Sequence, residues 1–184
     1  MRIIAGKAKG HHIKAPRETT TRPATDLVRG AIFSILETMV SDWSLVLDLF
    51  SGSGALGIEA LSRGAGWVDF VDQNPRCCDI IGQNLEKTKL AAQAHVYCCA
   101  VAKAISFLDK EYNIIIIDPP YSDSSIGGFM ANLATTKLVG ANTTVILTHS
   151  PHLKLSSTYA PLTLVKERRH GDSCIAIYQR EEKL

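Results

Sequence analysis

The chain has 184 residues, 46% of them hydrophobic, with 20 Lys and Arg against 18 Asp and Glu for a formal net charge of +2. That length suits one domain with a full core, and that balance is ordinary for a soluble globular protein without a low-complexity tract. No apolar run approaches the ~20 residues needed to span a bilayer, and the amino terminus lacks the apolar core of a signal peptide, so a cytoplasmic protein is expected.

Charge is uneven along the chain. Residues 1–30 hold seven bases (Arg2, Lys7, Lys9, Lys14, Arg17, Arg22, Arg29) against Glu18 and Asp26, a net of +5, which leaves 13 bases and 16 acids, −3, for the rest. A basic arm on a neutral or acidic body is the footprint of contact with a phosphate backbone, although many basic runs are only solvated surface. Within the arm, Arg2 to Ala5 and His12 to Ala15 flank Gly6-Lys7-Ala8-Lys9-Gly10 and predict a short β-hairpin. Thr19-Thr20-Thr21-Arg22-Pro23 reads as a polar loop. Helical spacing of Leu27, Val28, Ala31, Ile32, Ile35 and Leu36 predicts a helix over Ala24 to Met39.

Strands and helices then alternate. Leu45–Phe50 leads into a helix to Arg63; Trp67–Asp72 precedes a helix from Pro75 to Lys89; Ala94–Cys98 precedes a short helix through Leu108. Tyr112–Asp118, a helix near Ile126–Thr136 and Thr144–His149 follow. Two strands, Leu162–Arg169 and Cys174–Arg180, close the chain around His170-Gly171-Asp172-Ser173. Alternation implies a parallel sheet with right-handed crossovers, and the short last loop implies an antiparallel hairpin. Seven strands result.

The first strand ends in Asp48-Leu49-Phe50-Ser51-Gly52-Ser53-Gly54, and Gly57 completes a G-x-G-x-x-G spacing. Glycines there allow a tight turn and a close ligand. Asp72, twenty residues after Gly52, sits where an acid would bind ribose hydroxyls, so the pattern fits a dinucleotide fingerprint. Asp48 argues otherwise: a carboxylate four places before the first glycine would repel a pyrophosphate. It would attract a cation, and S-adenosylmethionine carries a sulfonium, an ammonium and no phosphate. Phe50, Ser51 and Gln73 belong to the same candidate cofactor site, with Asn74 read as a helix cap before Pro75.

Ile114-Ile115-Ile116-Ile117 is β-branched throughout and reads as a strand buried on both faces. It delivers Asp118-Pro119-Pro120-Tyr121 to the carboxyl edge of the sheet, where open α/β folds bind ligands. The prolines fix φ, so the Asp118 carboxylate and the Pro119 carbonyl can converge as two acceptors for one amino group, with Tyr121 as a stacking face. A β-turn capping a strand is the plainer alternative. His149 is read as a satisfied histidine. Five cysteines (Cys77, Cys78, Cys98, Cys99, Cys174), an odd count without C-x-x-C spacing, suggest reduced thiols and no metal.

Together, Asp48–Gly54 and Asp118–Tyr121 resemble the amino-methyltransferases of nucleic acids. Arg2-Ile3-Ile4-Ala5-Gly6, followed by Arg22-Pro23-Ala24-Thr25-Asp26-Leu27-Val28-Arg29 and Phe33, is similar to the bacterial enzymes that methylate guanine N2 of 16S ribosomal RNA. The resemblance covers essentially the whole chain. It implies a Rossmann-like α/β fold with a seven-stranded methyltransferase sheet. The expected division is a basic extension over 1–40 and a transferase domain over 41–184. It also implies a monomer that uses S-adenosylmethionine, with Asp118, Pro119, Pro120 and Tyr121 catalytic and Asp48, Phe50, Ser51, Gly52, Gly54, Asp72 and Gln73 on the cofactor. Arg2, Lys7, Lys9, Arg22, Thr25 and Arg29 are the expected RNA contacts. An adenine-N6 methyltransferase of RNA or DNA is the alternative, since it shares the Asp118 motif. Relatives usually place an acid or amide after the third strand for the cofactor adenine, and Cys99-Ala100-Val101-Ala102-Lys103 offers none. They also carry Glu where Gly30 stands.

Overall fold

In the computed structural model, which describes residues 1–17 and 24–180, five helices and eight strands follow the basic segment. They are α1 (Asp26–Met39), β1 (Leu45–Leu49), α2 (Ala55–Ser62), β2 (Trp67–Asp72), α3 (Pro75–Thr88), β3 (Ala94–Cys98), α4 (Val101–Phe107), β4 (Ile114–Ile117), α5 (Ile126–Ala134), β5 (Thr144–His149), β6 (Thr158–Tyr159), β7 (Leu162–His170) and β8 (Ser173–Arg180). The strands form one sheet in the order β3-β2-β1-β4-β5-β8-β7-β6. β1 to β5 pair in parallel, and β8, β7 and β6 add antiparallel strands at one side. This is the expected Rossmann-like methyltransferase sheet with one more strand than the sequence predicts. β6 has two residues, too few to show alternation.

Local chemistry explains the boundaries. α1 starts at Thr25, whose side chain accepts from Val28 N, with Asp26 in the first turn favouring the helix dipole. α3 starts at the cap Asn74, whose Oδ1 accepts from Arg76 N at 3.0 Å, with Pro75 first in the helix. The four isoleucines of β4 are all fully buried, because the sheet is covered on both faces. One layer joins α1, α2 and α3 to Val46, Phe70, Ile116, Ile146 and Ile175; the other joins α4 and α5 to Leu47, Ile117, Leu147 and Ala176. Among the described residues no helix is long and apolar enough to cross a membrane.

The amino-terminal hairpin narrows to a single bridge, Arg2 with His12, supported by Ile3 N to the His11 carbonyl at 3.0 Å and Gly10 N to the Ile3 carbonyl at 2.9 Å. Ile3, Ala8 and Ile13 are buried with α1 and α2, so the segment shares the domain's core. Glu59 of α2 holds it there. Fully buried, Glu59 accepts from Ile4 N at 2.8 Å, Ala5 N at 2.9 Å and Arg63 Nε at 2.9 Å, with Arg29 Nη1 at 4.0 Å.

This cluster generates a stability prediction. Glu59→Ala leaves the buried Arg29 without its second acid and strands two backbone N–H groups. Denaturant unfolding should show a loss of about 3–5 kcal/mol, with earlier proteolysis near the amino terminus. A loss below ~1 kcal/mol would mean that Glu59 does not anchor the segment.

Candidate active site

The carboxyl ends of β1, β2 and β4 meet around a cavity of ≈730 Å³, whose lining includes Phe50, Gly52, Asp72, Gln73, Asp118 and Pro120. That size is within the range of small-molecule sites. The turn after β1 forms its floor and is tied on both sides. Gly52 N donates to Asp72 Oδ2 at 2.8 Å and Gly57 N to Asp48 Oδ2 at 2.9 Å. Asp72 Oδ1 accepts from Asn74 N at 2.9 Å, so backbone N–H groups hold both its oxygens. Ser51 does not line the cavity; its Oγ donates to the Asp48 carbonyl at 2.6 Å and accepts from Val71 N at 3.0 Å, locking the turn to β2.

Two glycines are required here for different reasons. Gly54 opens α2 at φ +78°, a left-handed conformation. Gly57 lies so close to the sheet that a Cβ would stand 2.2 Å from Phe70 Cε1 and 2.9 Å from Asp48 Oδ2. Phe50 adopts φ +57° despite its side chain, and its ring packs edge-on against Phe129 of α5 at 5.9 Å between centroids. Such strain clusters at ligand sites.

Asp48 lies beneath the turn and does not line the cavity. It is 1% exposed, and its Oδ1 has no hydrogen-bond partner among the described residues. Burial pushes its carboxyl well above the usual range, and the charges of Asp118 and Asp72 add to the effect. Asp118, half-buried, accepts from Thr148 Oγ1 and donates its N–H to the Leu49 carbonyl at 3.4 Å. Burial raises its carboxyl from 3.8 to about 6, against the lowering effect of Thr148. Among the described residues neither Asp48 nor Asp118 pairs with a Lys or Arg. Asp72 and Asp118, which line the cavity, have no Lys or Arg partner among the described residues, and such an edge fits a cationic ligand and disfavours a pyrophosphate. No group of His, Cys, Asp and Glu among the described residues is placed to hold a metal.

Tyr121 is 39% exposed, and its hydroxyl donates to Ser173 Oγ at 2.8 Å, which ties the motif to the start of β8. Pro119 is buried behind Pro120. Beyond the residues expected from sequence, the cavity is lined by Cys77, by Ala100, Val101 and Ala102 at the start of α4, and by Phe129 and Asn132 of α5. Burial lifts the Cys77 thiol to about 11, so it is neutral and no nucleophile at pH 7. His149 is satisfied, with Nδ1 2.8 Å from the Ser150 carbonyl and Nε2 3.0 Å from Glu167 Oε1.

The expected RNA contacts separate. Arg29 is corrected: it is fully buried, with Nη2 donating to the Arg2 carbonyl at 2.9 Å and to Asp26 Oδ1 at 2.5 Å, so it cannot reach a phosphate. Thr25 caps α1, and Arg2 lies 3.7 Å from Asp26. Lys7 N bonds the Ser62 carbonyl at the end of α2, and Lys7 Nζ bonds Gln93 just before β3 at 2.9 Å. Lys7 therefore sits at the amino edge of the sheet, opposite the cavity. Lys9, on the same tip, is exposed. Arg22 lies outside the described residues.

Comparison with known proteins adds to this geometry. A family model described as "Conserved hypothetical protein 95" matches residues 1–179. "Ribosomal RNA small subunit methyltransferase D" of Escherichia coli (strain K12) is 30% identical over 184 residues, covering 98% of this chain and 90% of that protein. YlbH of Bacillus subtilis (strain 168), named as a candidate rRNA methyltransferase, is 32% identical over 183 residues, with 98% and 99% covered. Among solved structures, a hypothetical protein of Thermus thermophilus superposes with a TM-score of 0.85 at 26% identity, covering 97% of this chain and 99% of that one.

The raised Asp118 carboxyl has a consequence for stability. Because the folded state favours its protonated form, that stability is fully present below pH 3.8 and is lost as pH rises through about 6. Asp118→Asn should therefore be more stable than the parent at pH 7.5, by about 1–3 kcal/mol, with the gap closing toward pH 4. Denaturant unfolding at both pH values measures this, and a variant less stable at pH 7.5 would contradict it.

Proposed function

The chain belongs to the family described as conserved hypothetical protein 95, and from that premise we propose that it methylates the exocyclic N2 of a guanine in small-subunit ribosomal RNA. The observation that carries this reading is Asp118, half-buried at the carboxyl edge, lining the cavity and oriented by Thr148 beside Tyr121. The name of the Escherichia coli relative supports the ribosomal substrate. Choice of guanine N2 rests on the resemblance of residues 2–6 and 22–29 to guanine-N2 enzymes. The protein acts as a cytoplasmic monomer in this reading, with residues 1–40 as an extension on the transferase domain 41–184.

S-adenosylmethionine, when bound, supplies a methyl group made electrophilic by its sulfonium. Asp72, Phe50 and Gly52 would hold its ribose and amino-acid parts, and the start of α4, residues 100–102, would take the adenine. Asp48 shapes this site from below by fixing Gly57. Asp118 and the Pro119 carbonyl accept the two N–H groups of the guanine amine. That keeps the amine in line with the methyl and stabilises the charge that develops on nitrogen. Thr148 keeps one Asp118 oxygen fixed, leaving the other for the amine. Tyr121 stacks on the base, a contact worth ~1–3 kcal/mol by analogy with other stacked bases. The base has to be unpaired or flipped out to arrive there.

Only the ionised Asp118 offers an acceptor to Thr148 and another to the amine while carrying the negative charge that the reaction uses, so kcat/KM for methyl transfer should rise with pH through about 6 and then level. Asp118→Ala should lower kcat about 10²–10³-fold and leave S-adenosylmethionine affinity within a few-fold. The test is nucleoside mass spectrometry of small-subunit ribosomal RNA treated with the purified protein. New N2-methylguanosine, absent with the variant, is the expected result; N6-methyladenosine in its place would assign the amine to adenine.

A further inference from the structure

The described bases of the amino-terminal segment are largely engaged within the protein. Arg2 and Arg29 meet acids, while Lys7 and Lys14 bond Gln93 at 2.9 Å and Gln83 at 2.7 Å. Two arginines of β7 differ. Arg168 and Arg169 are exposed, and their donors meet only backbone carbonyls: Nη1 of Arg168 that of Glu167 at 3.0 Å, Nε of Arg169 that of Gly171 at 2.9 Å. Among the described residues neither guanidinium lies within 4 Å of a carboxylate.

Sheet register places Arg168 on the Asp118 side of the sheet, while Arg169, paired with Cys174, alternates to the other side. Ile117 pairs with Leu147, so Asp118 and Thr148 are the next neighbours. Thr148 pairs with Ile175, and Ile175 with Arg168. Cross-strand partners share a face, so Arg168 stands on the Asp118 face of the sheet, about 14 Å away at ~4.8 Å per strand. Lys166 pairs with Ile177, which shares a core layer with Ile175, and therefore occupies that face too. The last β5 pair is His149 with Cys174, so residues 170–173 project beyond the end of β5. That projecting end is fastened to the catalytic motif through Tyr121 and Ser173.

We propose that the β7–β8 hairpin is the clamp for the RNA backbone, with Lys166 and Arg168 holding phosphates beside the nucleotide whose base reaches Asp118. The clamp rests on the ribosomal RNA reading and says where that substrate lies. A flipped base leaves its backbone outside the pocket, and cations about 14 Å from Asp118 across three strand spacings neutralise it there. Guanidinium groups without carboxylate partners lose no ion pair when they bind phosphate. The hairpin offers a protein partner little apolar surface, since Val165 is its one large exposed apolar side chain among the described residues.

The test compares the full-length parent with K166E/R168E, K166Q/R168Q and, on the opposite edge, K7E/K9E. Binding to transcribed small-subunit ribosomal RNA is titrated with salt, beside calorimetry of S-adenosylmethionine and a melting curve. Both hairpin variants should weaken RNA by about tenfold or more. They should flatten the slope of log K against log salt by ~1.4–1.8, two phosphate contacts at ~0.7–0.9 each. Cofactor affinity and melting temperature should stay at the parent's values. A parent-like slope in both hairpin variants overturns the clamp, whatever K7E/K9E does. A slope lost only together with the melting transition overturns it as well. If the clamp fails while the parent still forms N2-methylguanosine, the functional reading stands. If the parent forms none, that reading fails independently of the hairpin.

Discussion

The site depends on two carboxylates that hold one turn. Asp72 takes Gly52 N–H and Asp48 takes Gly57 N–H, so the chain between β1 and α2 is clamped at both ends of its glycine pattern. Ser51 adds a third tie by bridging β1 and β2. With the turn fixed, α2 packs so tightly over Phe70 that position 57 admits no side chain. Glu59, on the same helix, can then gather the amino-terminal segment and Arg29. Cofactor floor, helix and extension are therefore one mechanical unit.

In the proposed reading, that unit explains why acids dominate the edge that takes a nucleobase and its methyl donor. Burying Asp48 and Asp118 raises both carboxyls, an unfavourable arrangement in the folded chain alone. It becomes useful when a cation and a positively charged transition state occupy the site, because fixed acceptors then act where charge appears. The raised value of Asp118 is thus a stability loss tied to the reaction the site supports, as functional groups often show.

Much of the architecture was legible because the periodicities are strong. Trp67–Asp72, Ala94–Cys98 and Thr144–His149 occur as read, and four isoleucines in a row leave a central strand as the natural reading. Asp118 and the glycine turn were legible too, since both sit where strands end. Three features were not. Charge alone could not show that Arg29 is buried, because its partner Glu59 is thirty residues away and comes near only through packing. Thr148 became visible as the Asp118 partner only once the β4–β5 register was known. Asp48 is an acid near a ligand by sequence, but the fold puts it under the turn, since Gly57 lets the helix backbone approach close enough to take its carboxylate.

Calorimetry of S-adenosylmethionine and of NAD with the intact protein tests the central claim, that this acidic edge and glycine turn form a site for a cationic methyl donor. The account predicts saturable binding of S-adenosylmethionine, weakened by roughly 1–3 kcal/mol in Asp72→Ala, and no binding of NAD. Binding of NAD without binding of S-adenosylmethionine would contradict it.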